Sequence, residues 1–470
     1  MTSSIRTFVL FSLSVFMACQ GPESDGPPAD TEPPAERSSG QAAVSWLRTD
    51  ATESWWLEER LAPWPEHAGD RDIGLRQLVR ATPANRRQII WSSTDPERLT
   101  SAVVDADGGW SGVGVDGAHR PFLIHGNVQG ELARIVLDDP ALAADPNAWL
   151  GSTPPSALRL GVLSEDSARI GGSASEVVIS LMNDHNAVLA YRWRWDGAGW
   201  QRGARTLVTP ASAETPFLPI GATYDNFDAI VSPFNAHLAV AADGAAYVAL
   251  AATSGRLKRH NAVFGTRYEP LRSDGNLSER PTDILITRVE RNGAIAWSHL
   301  VGTPDVDDEI YAAAAGPAGS VALVGRARRE RGLDNTEWHA TMTTLDAAGA
   351  TTAAVVFDTA DSGIAQCAAF AADGSLYVGG TESWLQNPGG FSLYQEGRPF
   401  LLHLGSSSGS VVRKDQLLPA TSGHAELRAI SIAADRLWLA GFERGPLTHS
   451  GDQDRSVIRA DGWRASAGVP

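Results

Sequence analysis

One short run of this sequence contains several acidic side chains close together, and carboxylates in such a cluster can bind a metal ion. The run DVDDE brings together four carboxylates, those of Asp305, Asp307, Asp308 and Glu309. Carboxylate oxygens are the usual ligands of Ca²⁺, which takes six to eight oxygens. The run lacks the DxDxDG spacing with a distal Glu that identifies an EF-hand loop. It predicts a Ca²⁺ site at these four residues, and no other cofactor is expected.

Motifs of the common enzyme classes are missing from the sequence. It contains no Walker loop, no HExxH zinc motif and no GxGxxG followed by a helix. Cys367 stands in the apolar run QCAAFAAD, which favours a buried structural thiol over a nucleophile. We therefore predict no catalytic residues. Carboxylates that leave no local motif could still serve a hydrolase or lyase, so that alternative stays open.

Two segments contain side chains suited to binding a partner. Residues 253–282 are rich in Lys and Arg, which bind carboxylates and other anions. Residues 381–397 contain aromatic rings that suit stacking on sugars or docking a protein. The candidate partner-binding residues are Arg256, Lys258, Arg259, Arg267, Trp384 and Tyr394. Both segments also have an alternative without a partner. Residues 253–282 could be a solvated loop, and residues 381–397 could pack against their own blade.

A repeated phrase indicates how these segments are positioned. AADGAAYVAL at residues 241–250 returns as AADGSLYVGG at residues 371–380. Looser copies lie near Asp107, Asp184, Gly319 and Asp435. The spacing of the six copies varies between roughly 55 and 77 residues, with a period of about 60 to 65, as expected for one supersecondary unit with loops of different length. A second Gly-containing turn follows each copy, for example Asn292-Gly293 or Asp461-Gly462.

Two hairpins in each repeat make a unit of four strands, the composition of a propeller blade. We predict an all-β fold, a single β-propeller of six or seven four-stranded blades formed by residues 95–470. Residues 45–94 are expected to supply a partial or closing blade, with a strand around Ile89 to Trp91 pairing with the final blade. Because successive strands are antiparallel, both tight turns of a blade share one face. The variable segments, including residues 253–282, then share the opposite face, where binding sites usually lie.

The repeat resembles a known family. Its pattern is Asp-Gly, aromatic-Val-x-Gly-x-Thr, a variable loop, an apolar strand, and then Asn-Gly and Trp. This is similar to the SBBP-type β-propeller repeats of bacterial exported lipoproteins, best over residues 283–445. Gly319 and Arg436 depart from it by breaking the Asp-Gly pair. The resemblance implies a propeller architecture and an exported location, and it implies no catalytic residue.

The N-terminus is typical of an exported protein. Residues 1–18 join Arg6 to a short apolar run and a small residue before Cys19, and they resemble a bacterial lipoprotein signal peptide. The resemblance implies lipidation of Cys19 and anchoring to the outer membrane, with the domain facing the periplasm or the surface. An ordinary secretory signal is the alternative. Residues 19–44 are rich in Pro, Gly, Ser and acids and predict a flexible tether.

Net charge and motifs together favour one function class. The formal net charge of −16 argues against nucleic-acid binding. We predict a monomeric, lipid-anchored envelope protein that is a non-catalytic binding module for a protein or glycan. A carbohydrate-active hydrolase or lyase with acids at the channel mouth is the first alternative. A structural envelope protein is the second.

Overall fold

The structure is a computed structural model of the 470-residue chain, and it describes most of the segment from residue 36 to residue 468. The described residues are 36–49, 53–60, 76–82, 87–93, 97–117, 120–137, 168–182, 188–208, 236–253, 282–302, 308–330, 336–357, 359, 363–382, 397–405, 411–416, 425–433, 436–444 and 460–468. They belong to one compact unit, Ala35–Pro470. Nearly all of them lie in strands and the turns between strands. Within this part of the chain, no helix combines the length and apolar character needed to cross a bilayer.

The chain forms 27 described strands. The first twelve are β1 (Glu36–Thr49), β2 (Ser54–Arg60), β3 (Arg76–Ala81), β4 (Arg87–Ser92), β5 (Arg98–Val104), β6 (Trp110–Val115), β7 (Pro121–Asn127), β8 (Gly130–Val136), β9 (Ala168–Gly172), β10 (Glu176–Met182), β11 (Val188–Trp195) and β12 (Trp200–Leu207). The next eight are β13 (His237–Val240), β14 (Ala246–Thr253), β15 (Thr282–Val289), β16 (Ile295–Val301), β17 (Asp308–Ala315), β18 (Val321–Glu330), β19 (Thr336–Leu345) and β20 (Thr351–Val356). The last seven are β21 (Gly363–Phe370), β22 (Leu376–Glu382), β23 (Arg398–Leu404), β24 (Val411–Gln416), β25 (Ala425–Ala433), β26 (Arg436–Arg444) and β27 (Ala460–Gly468).

These strands form six antiparallel sheets arranged as a propeller ring. Five sheets have four strands each, and the sixth has seven, in the order β25-β26-β27-β1-β2-β3-β4. Strand β1 joins the two halves of this large sheet, since Glu36 to Gln41 pair with β27 and Ala42 to Thr49 pair with β2. The ring therefore has six sheets. When β1 is counted in both halves of the large sheet, the ring consists of seven groups of four paired strands, and we call each such group a run. The predicted all-β propeller of six or seven four-stranded blades is confirmed.

The first strands of successive runs contact one another in cyclic order, through β1, β5, β9, β13, β17, β21 and β25. They form the inner side of the ring. Strand β1 closes the ring by pairing with β27, the last described strand. The segment around Ile89 to Trp91 does not have this role, because β4 pairs with β3 at the far edge of the sheet. That expectation was wrong because closure needs a strand next to β27, and among the described strands the start of β1 takes that place.

The repeated phrase forms the turn between the first and second strands of a sheet, as predicted. In the copy at residues 241–250, Gly244 has a φ of 86° and Asp243 accepts a hydrogen bond from the backbone N–H of Ala245 at 2.8 Å. Glycine and aspartate suit this turn because Gly adopts positive φ freely and Asp bonds the backbone two residues on. The Asn292-Gly293 turn lies at the same end of the sheet. We call this the turn end, and the opposite end the loop end.

Two parts of the predicted repeat pattern were wrong. The copy near Asp184 falls between β10 and β11, the second and third strands of their sheet, whereas the first turn of that sheet follows Gly172. Asp461-Gly462 is not a turn either, because both residues lie inside β27 and pair with β26. In each case the sequence resembles a particular turn, but the pairing of the neighbouring strands gives that position another place in the sheet.

The hydrophobic core lies between the sheets. Each described cluster joins neighbouring runs of four strands, for example Met342 of β19 with Val378 and Phe400 of the next sheet. The largest fully buried side chains include Trp55 and Trp110, which belong to one cluster between the first two runs. Burial of aromatic and branched side chains on both faces explains why the strands are apolar runs and do not alternate cleanly.

At the turn end, long side chains bind each sheet to the next. The guanidinium of Arg192 donates to the carbonyl of Gly244 at 2.7 Å, and Arg288 donates to the carbonyl of Ala347 at 2.9 Å. His403 stacks on Tyr377, in the register position that Arg288 and Tyr247 occupy in β15 and β14. The repeated turns therefore build the scaffold, as their shared position predicts.

Candidate functional site

The first strands of four sheets contain a β-bulge at the same place, near the loop end. The register of β5, β17, β21 and β25 against the second strand shifts around one residue in each. The bulged residues are Thr100, Tyr311, Gln366 and Arg428. A bulge bends the strand and re-aims a side chain, and bulges are over-represented next to functional sites. Four inner strands thus have a bulged residue at equivalent positions, where the side chain points in a different direction from that of a regular strand.

A glycine on the second strand faces each of these bulges. A Cβ atom at Gly325 would lie 1.8 Å from the carbonyl oxygen of Glu309, and one at Gly380 would lie 1.9 Å from that of Ile364. Gly441 and Gly114 meet a first-strand carbonyl oxygen in the same way, at 1.9 Å and 2.2 Å. Glycine is required here because the bulge brings two backbones closer than any side chain permits. The Gly at the end of the repeated motif is therefore needed because a side chain there would collide with the bulged strand.

Two of the bulged residues are buried and bind the sheets together. The hydroxyl of Thr100 donates to the carbonyl of Ala168 on the next first strand at 2.8 Å. The amide of Gln366 donates to the carboxylate of Glu426 at 3.0 Å and accepts a hydrogen bond from Thr381 at 2.8 Å. Their exposed fractions are 6% and 7%, so these two residues hold the ring rather than contact solvent.

Tyr311 forms a compact polar and aromatic group with its neighbours. Its hydroxyl donates to Oε2 of Glu309 at 2.9 Å, and Nε of Arg326 donates to the same oxygen at 2.7 Å. The Arg326 guanidinium lies over the ring of Trp338, 4.0 Å from its centroid. Burial raises the pKa of Tyr311 well above its ordinary value. The phenol is therefore neutral at physiological pH, and the charge of Glu309 is balanced by Arg326.

Arg428 is held in place by a buried carboxylate. Its Nη2 lies 2.5 Å from Oε2 of Glu426, whose side chain is only 4% exposed, while the Arg428 side chain is 42% exposed. Glu426 also accepts the hydrogen bond from Gln366, so a line of bonds runs from Thr381 to the arginine. A cation with one end anchored and part of its surface open is suited to bind an anion.

These two groups lie close enough to interact. The charge of Arg428 favours ionisation of Tyr311, although burial has the larger effect on that pKa. Arg428 acts in the same direction on Cys367, whose pKa burial raises strongly. We call the set of Glu309, Tyr311, Arg326, Trp338, Glu426 and Arg428 the bulge site. It combines two arginine–glutamate pairs with two aromatic rings, an arrangement suited to charged and cyclic ligands.

The predicted Ca²⁺ ligands are only partly within the described residues. Asp305 and Asp307 lie outside them, Asp308 is buried with 3% exposure, and Glu309 is paired with Arg326. Among the residues that the structure describes, no three His, Cys, Asp or Glu side chains come together as metal ligands would. The Ca²⁺ site stays a prediction.

The other predicted site residues fall mainly outside the described part of the chain. Cys19 and the six partner-binding candidates in residues 253–282 and 381–397 all do, and they stay predictions. Cys367 is described, and it is a buried thiol that donates weakly to the carbonyl of Leu427 at 3.7 Å. That finding agrees with its predicted structural role.

Sequence reasoning missed the bulge site. Tyr311 and Arg428 are 117 residues apart in the sequence, and neither they nor Arg326 belong to a local motif. The signal that could have located them is the Gly at the end of the repeated phrase, as in Gly325 or Gly380. A glycine in the interior of an apolar strand indicates a bulge or a close approach of another backbone.

Comparisons with known proteins identify no family and no function for this chain. No family model and no curated protein matches the sequence. A solved protein of unknown function from Dyadobacter fermentans DSM 18053 is 12% identical, with 92% of this chain and 95% of that chain covered and a TM-score of 0.43. The polysaccharide lyase Uly1 is 10% identical, with 91% and 90% covered and a TM-score of 0.48. Similarities this low assign no function, which must be argued from the residues themselves.

Proposed function

We propose that this chain is a lipid-anchored envelope β-propeller that binds a protein or glycan through the loop end of its ring, without chemistry of its own. The bulge site is the observation that carries the proposal. Four bulges and four facing glycines act together to place polar side chains on the inner strands. Thr100 and Gln366 hold the ring, and the other two bulges place Tyr311 and Arg428 in the bulge site, as bulges next to functional sites commonly do.

The pairing of charges in the bulge site supports binding over catalysis. A hydrolase of the usual kind needs two carboxyl groups, one with a raised pKa that acts as the acid. Glu309 and Glu426 each form an ion pair with an arginine, so both carboxylates of the bulge site are already engaged. Burial raises the pKa of Tyr311, so its phenol is a neutral hydrogen-bonding group beside these pairs. Both features suit recognition.

The envelope location in this proposal comes from the sequence. Residues 1–18 resemble a lipoprotein signal peptide, the repeats resemble the SBBP type, and residues 19–44 would tether the propeller to the membrane. Fractionation of cells that express the full chain tests the anchor. We expect the protein in the membrane fraction and a Cys19→Ser variant in the soluble fraction. Membrane retention of Cys19→Ser would contradict a lipid tether.

Binding is tested with the chain from residue 19 onward that carries Cys19→Ser. A glycan array and a pull-down from envelope lysate are compared with the same chain lacking residues 256–280. We expect a reproducible glycan or protein ligand for the intact chain and weaker capture without the basic segment. Absence of any ligand for the intact chain would refute the binding function. Turnover of a polysaccharide by the intact chain would favour the hydrolase or lyase alternative.

A further inference from the structure

Four residues of the bulge site, Glu309, Tyr311, Arg326 and Trp338, leave one carboxylate oxygen unused, and we call them the Tyr311 group. Oε2 of Glu309 accepts hydrogen bonds from the Tyr311 hydroxyl at 2.9 Å and from Nε of Arg326 at 2.7 Å, and Nη2 of Arg326 lies 2.7 Å from the same oxygen. No residue that the structure describes donates a hydrogen bond to Oε1, and the Glu309 side chain is 35% exposed. A ligand can therefore use a charged acceptor that the protein itself leaves open.

The Tyr311 group is fixed before a ligand arrives. The Arg326 guanidinium lies 4.0 Å from the centroid of the Trp338 ring and 5.6 Å from that of the Tyr311 ring. Stacking and the ion pair together fix the planar guanidinium, which in turn fixes the carboxylate of Glu309. A ligand that donates to Oε1 therefore pays little further ordering cost.

The aromatic rings of this group are not used by the core. Tyr311 and Trp338 are both partly exposed, and neither belongs to a described hydrophobic cluster. Trp338 stands two residues before Ala340, the partner of Arg326 on the third strand. The same position holds Gly397 and Ala460 in the sheets that contain the bulges of β21 and β25. The scaffold therefore does not require a tryptophan there.

The ion pair of the group is also specific to one sheet. Glu309 pairs with Arg326 across β17 and β18, two residues before the bulged Tyr311. The equivalent pairs in the other three bulged sheets are Arg98 with Val115, Ile364 with Thr381, and Glu426 with Phe442. The bulge thus forms without an arginine–glutamate pair. Side chains that occur in one sheet and are not needed by the repeated structure are the ones to examine for a ligand.

The charges of the Tyr311 group favour a neutral ligand. Glu309 and Arg326 carry opposite charges, so the group has no net charge that would attract an ion. The whole chain has a net charge of −16 and repels anions. A carboxylate oxygen forms short, strong hydrogen bonds with hydroxyl donors. The ligand expected from these properties is uncharged and rich in hydroxyl groups.

The aromatic rings add a second requirement, a ligand with an apolar surface beside its hydroxyl groups. A sugar ring has both, because its C–H faces pack on aromatic side chains while its hydroxyls point outward. A neutral peptide can donate a backbone N–H but has no such ring face. We infer that the Tyr311 group binds a neutral hexose unit of a polysaccharide, with a sugar hydroxyl donating to Oε1 of Glu309 and the sugar ring against Trp338. This inference rests on the proposed binding function and names its ligand class.

Calorimetric titration with four neutral hexasaccharides, cellohexaose, maltohexaose, mannohexaose and galactohexaose, tests the inference. The protein is the chain from residue 19 onward with Cys19→Ser, and we expect it to bind at least one of the four. Glu309→Gln should weaken that binding by roughly tenfold, because a neutral acceptor replaces a charged one. Trp338→Ala should weaken it by roughly tenfold, because the ring contact is lost. Trp338→Phe keeps a ring and should recover most of the affinity.

Two variants at the turn end are the matched controls. Glu176 is 38% exposed and accepts a hydrogen bond from Nε of Arg291 at 2.8 Å, so Glu176→Gln breaks a similar ion pair. Trp195 is partly exposed and stacks on His125 at 4.5 Å, so Trp195→Ala removes a similar ring. Both should leave hexasaccharide binding unchanged, and melting temperatures are measured for all variants. If Glu309→Gln fails to fold, the two Trp338 variants give the result.

Three outcomes would overturn the inference while leaving the proposed function standing. Equal affinity of the parent chain, Glu309→Gln and Trp338→Ala for the same hexasaccharide would exclude the Tyr311 group. Tighter binding of oligogalacturonate hexamer than of any neutral hexasaccharide would show that the ligand is an acidic glycan. Capture of an envelope protein by a chain that binds none of the four hexasaccharides would identify a protein as the ligand. Only a chain that binds no glycan and no envelope protein refutes both proposals.

Discussion

Replacing Gly325 with alanine should be severely destabilising, although it adds a single methyl group to a strand. The new Cβ would lie 1.8 Å from the carbonyl oxygen of Glu309 and 3.0 Å from Cα of Ile310. Both contacts are with backbone atoms, so no side chain can rotate away. Strand β17 would have to move by roughly 1 Å, which gives up the bulge or its neighbouring ladder bonds.

The cost can be set from general values. Overpacking a well-ordered interior costs about 1 to 3 kcal/mol, and each lost backbone hydrogen bond adds roughly 1 kcal/mol. We expect Gly325→Ala to lower the free energy of unfolding by about 3 kcal/mol or more. Because the movement occurs at the bulge of Tyr311, ligand binding at the bulge site should weaken in the same variant.

Urea denaturation followed by tryptophan fluorescence measures the change, since the chain contains 15 Trp. The matched control is Gly199→Ala, where an added Cβ meets nothing within 4 Å and φ is not in the left-handed region. That variant should match the parent chain or be slightly more stable. Equal midpoints for Gly325→Ala and Gly199→Ala would show that the bulge does not require glycine, and the account of the repeated motif would be wrong.

Three further predictions follow from the described residues. Deletion of residues 1–44 removes the part of β1 that pairs with β27 and should cost several times the roughly 1 kcal/mol of a hydrogen bond, whereas deletion of residues 1–35 should leave the denaturation midpoint unchanged. Cys367 is buried and its pKa is raised by burial, so it should resist a thiol reagent in the native chain and react at once in urea; fast native labelling would contradict its burial. Burial lowers the pKa of His125, so the unfolded chain binds a proton at higher pH than the folded chain does. Its neutral form supports stability above about pH 6.5, and this contribution is lost as the pH falls below that value. His125→Gln should therefore lose less stability than the parent chain between pH 7 and pH 5, and equal losses in a denaturation series would refute the assignment.

The ring could be predicted from the sequence because its determinants are local. Asp243 and Gly244 form their turn through bonds within five residues, and each copy of the phrase repeats the same local physics. Where the local signal is ambiguous, prediction failed. The sequence of residues 183–187 resembles a first turn, but the first turn of that sheet follows Gly171-Gly172, which lacks the Asp-Gly pair on which the copies were aligned. Asp461 and Gly462 look like a hairpin, but pairing with β26 keeps them extended.

The bulge site could not be predicted because it depends on the register between strands. Whether Arg428 is bulged is decided by its pairing with β26, and whether Tyr311 lies near it is decided by the packing of β17, β21 and β25. Neither relation leaves a pattern in one strand. The glycines opposite the bulges are visible in the sequence, because each stands in an apolar strand. Their position at the end of the repeated phrase makes them look like part of the turn, which hides their packing role.

The two ends of the sheets use arginine in opposite ways, and the contrast bears on function. At the turn end, Arg192 is 8% exposed and donates to backbone carbonyls of the next sheet, and burial lowers its pKa. At this end Arg192 therefore serves the scaffold by linking two sheets. At the loop end, Arg428 is bound to a side chain of its own strand and remains 42% exposed. Gln366, at the equivalent bulge of the preceding sheet, is buried and donates to Glu426 of the next sheet. The two equivalent bulges thus carry side chains of different exposure, a buried amide at Gln366 and a 42% exposed cation at Arg428, and a partner at the loop end can reach the exposed one.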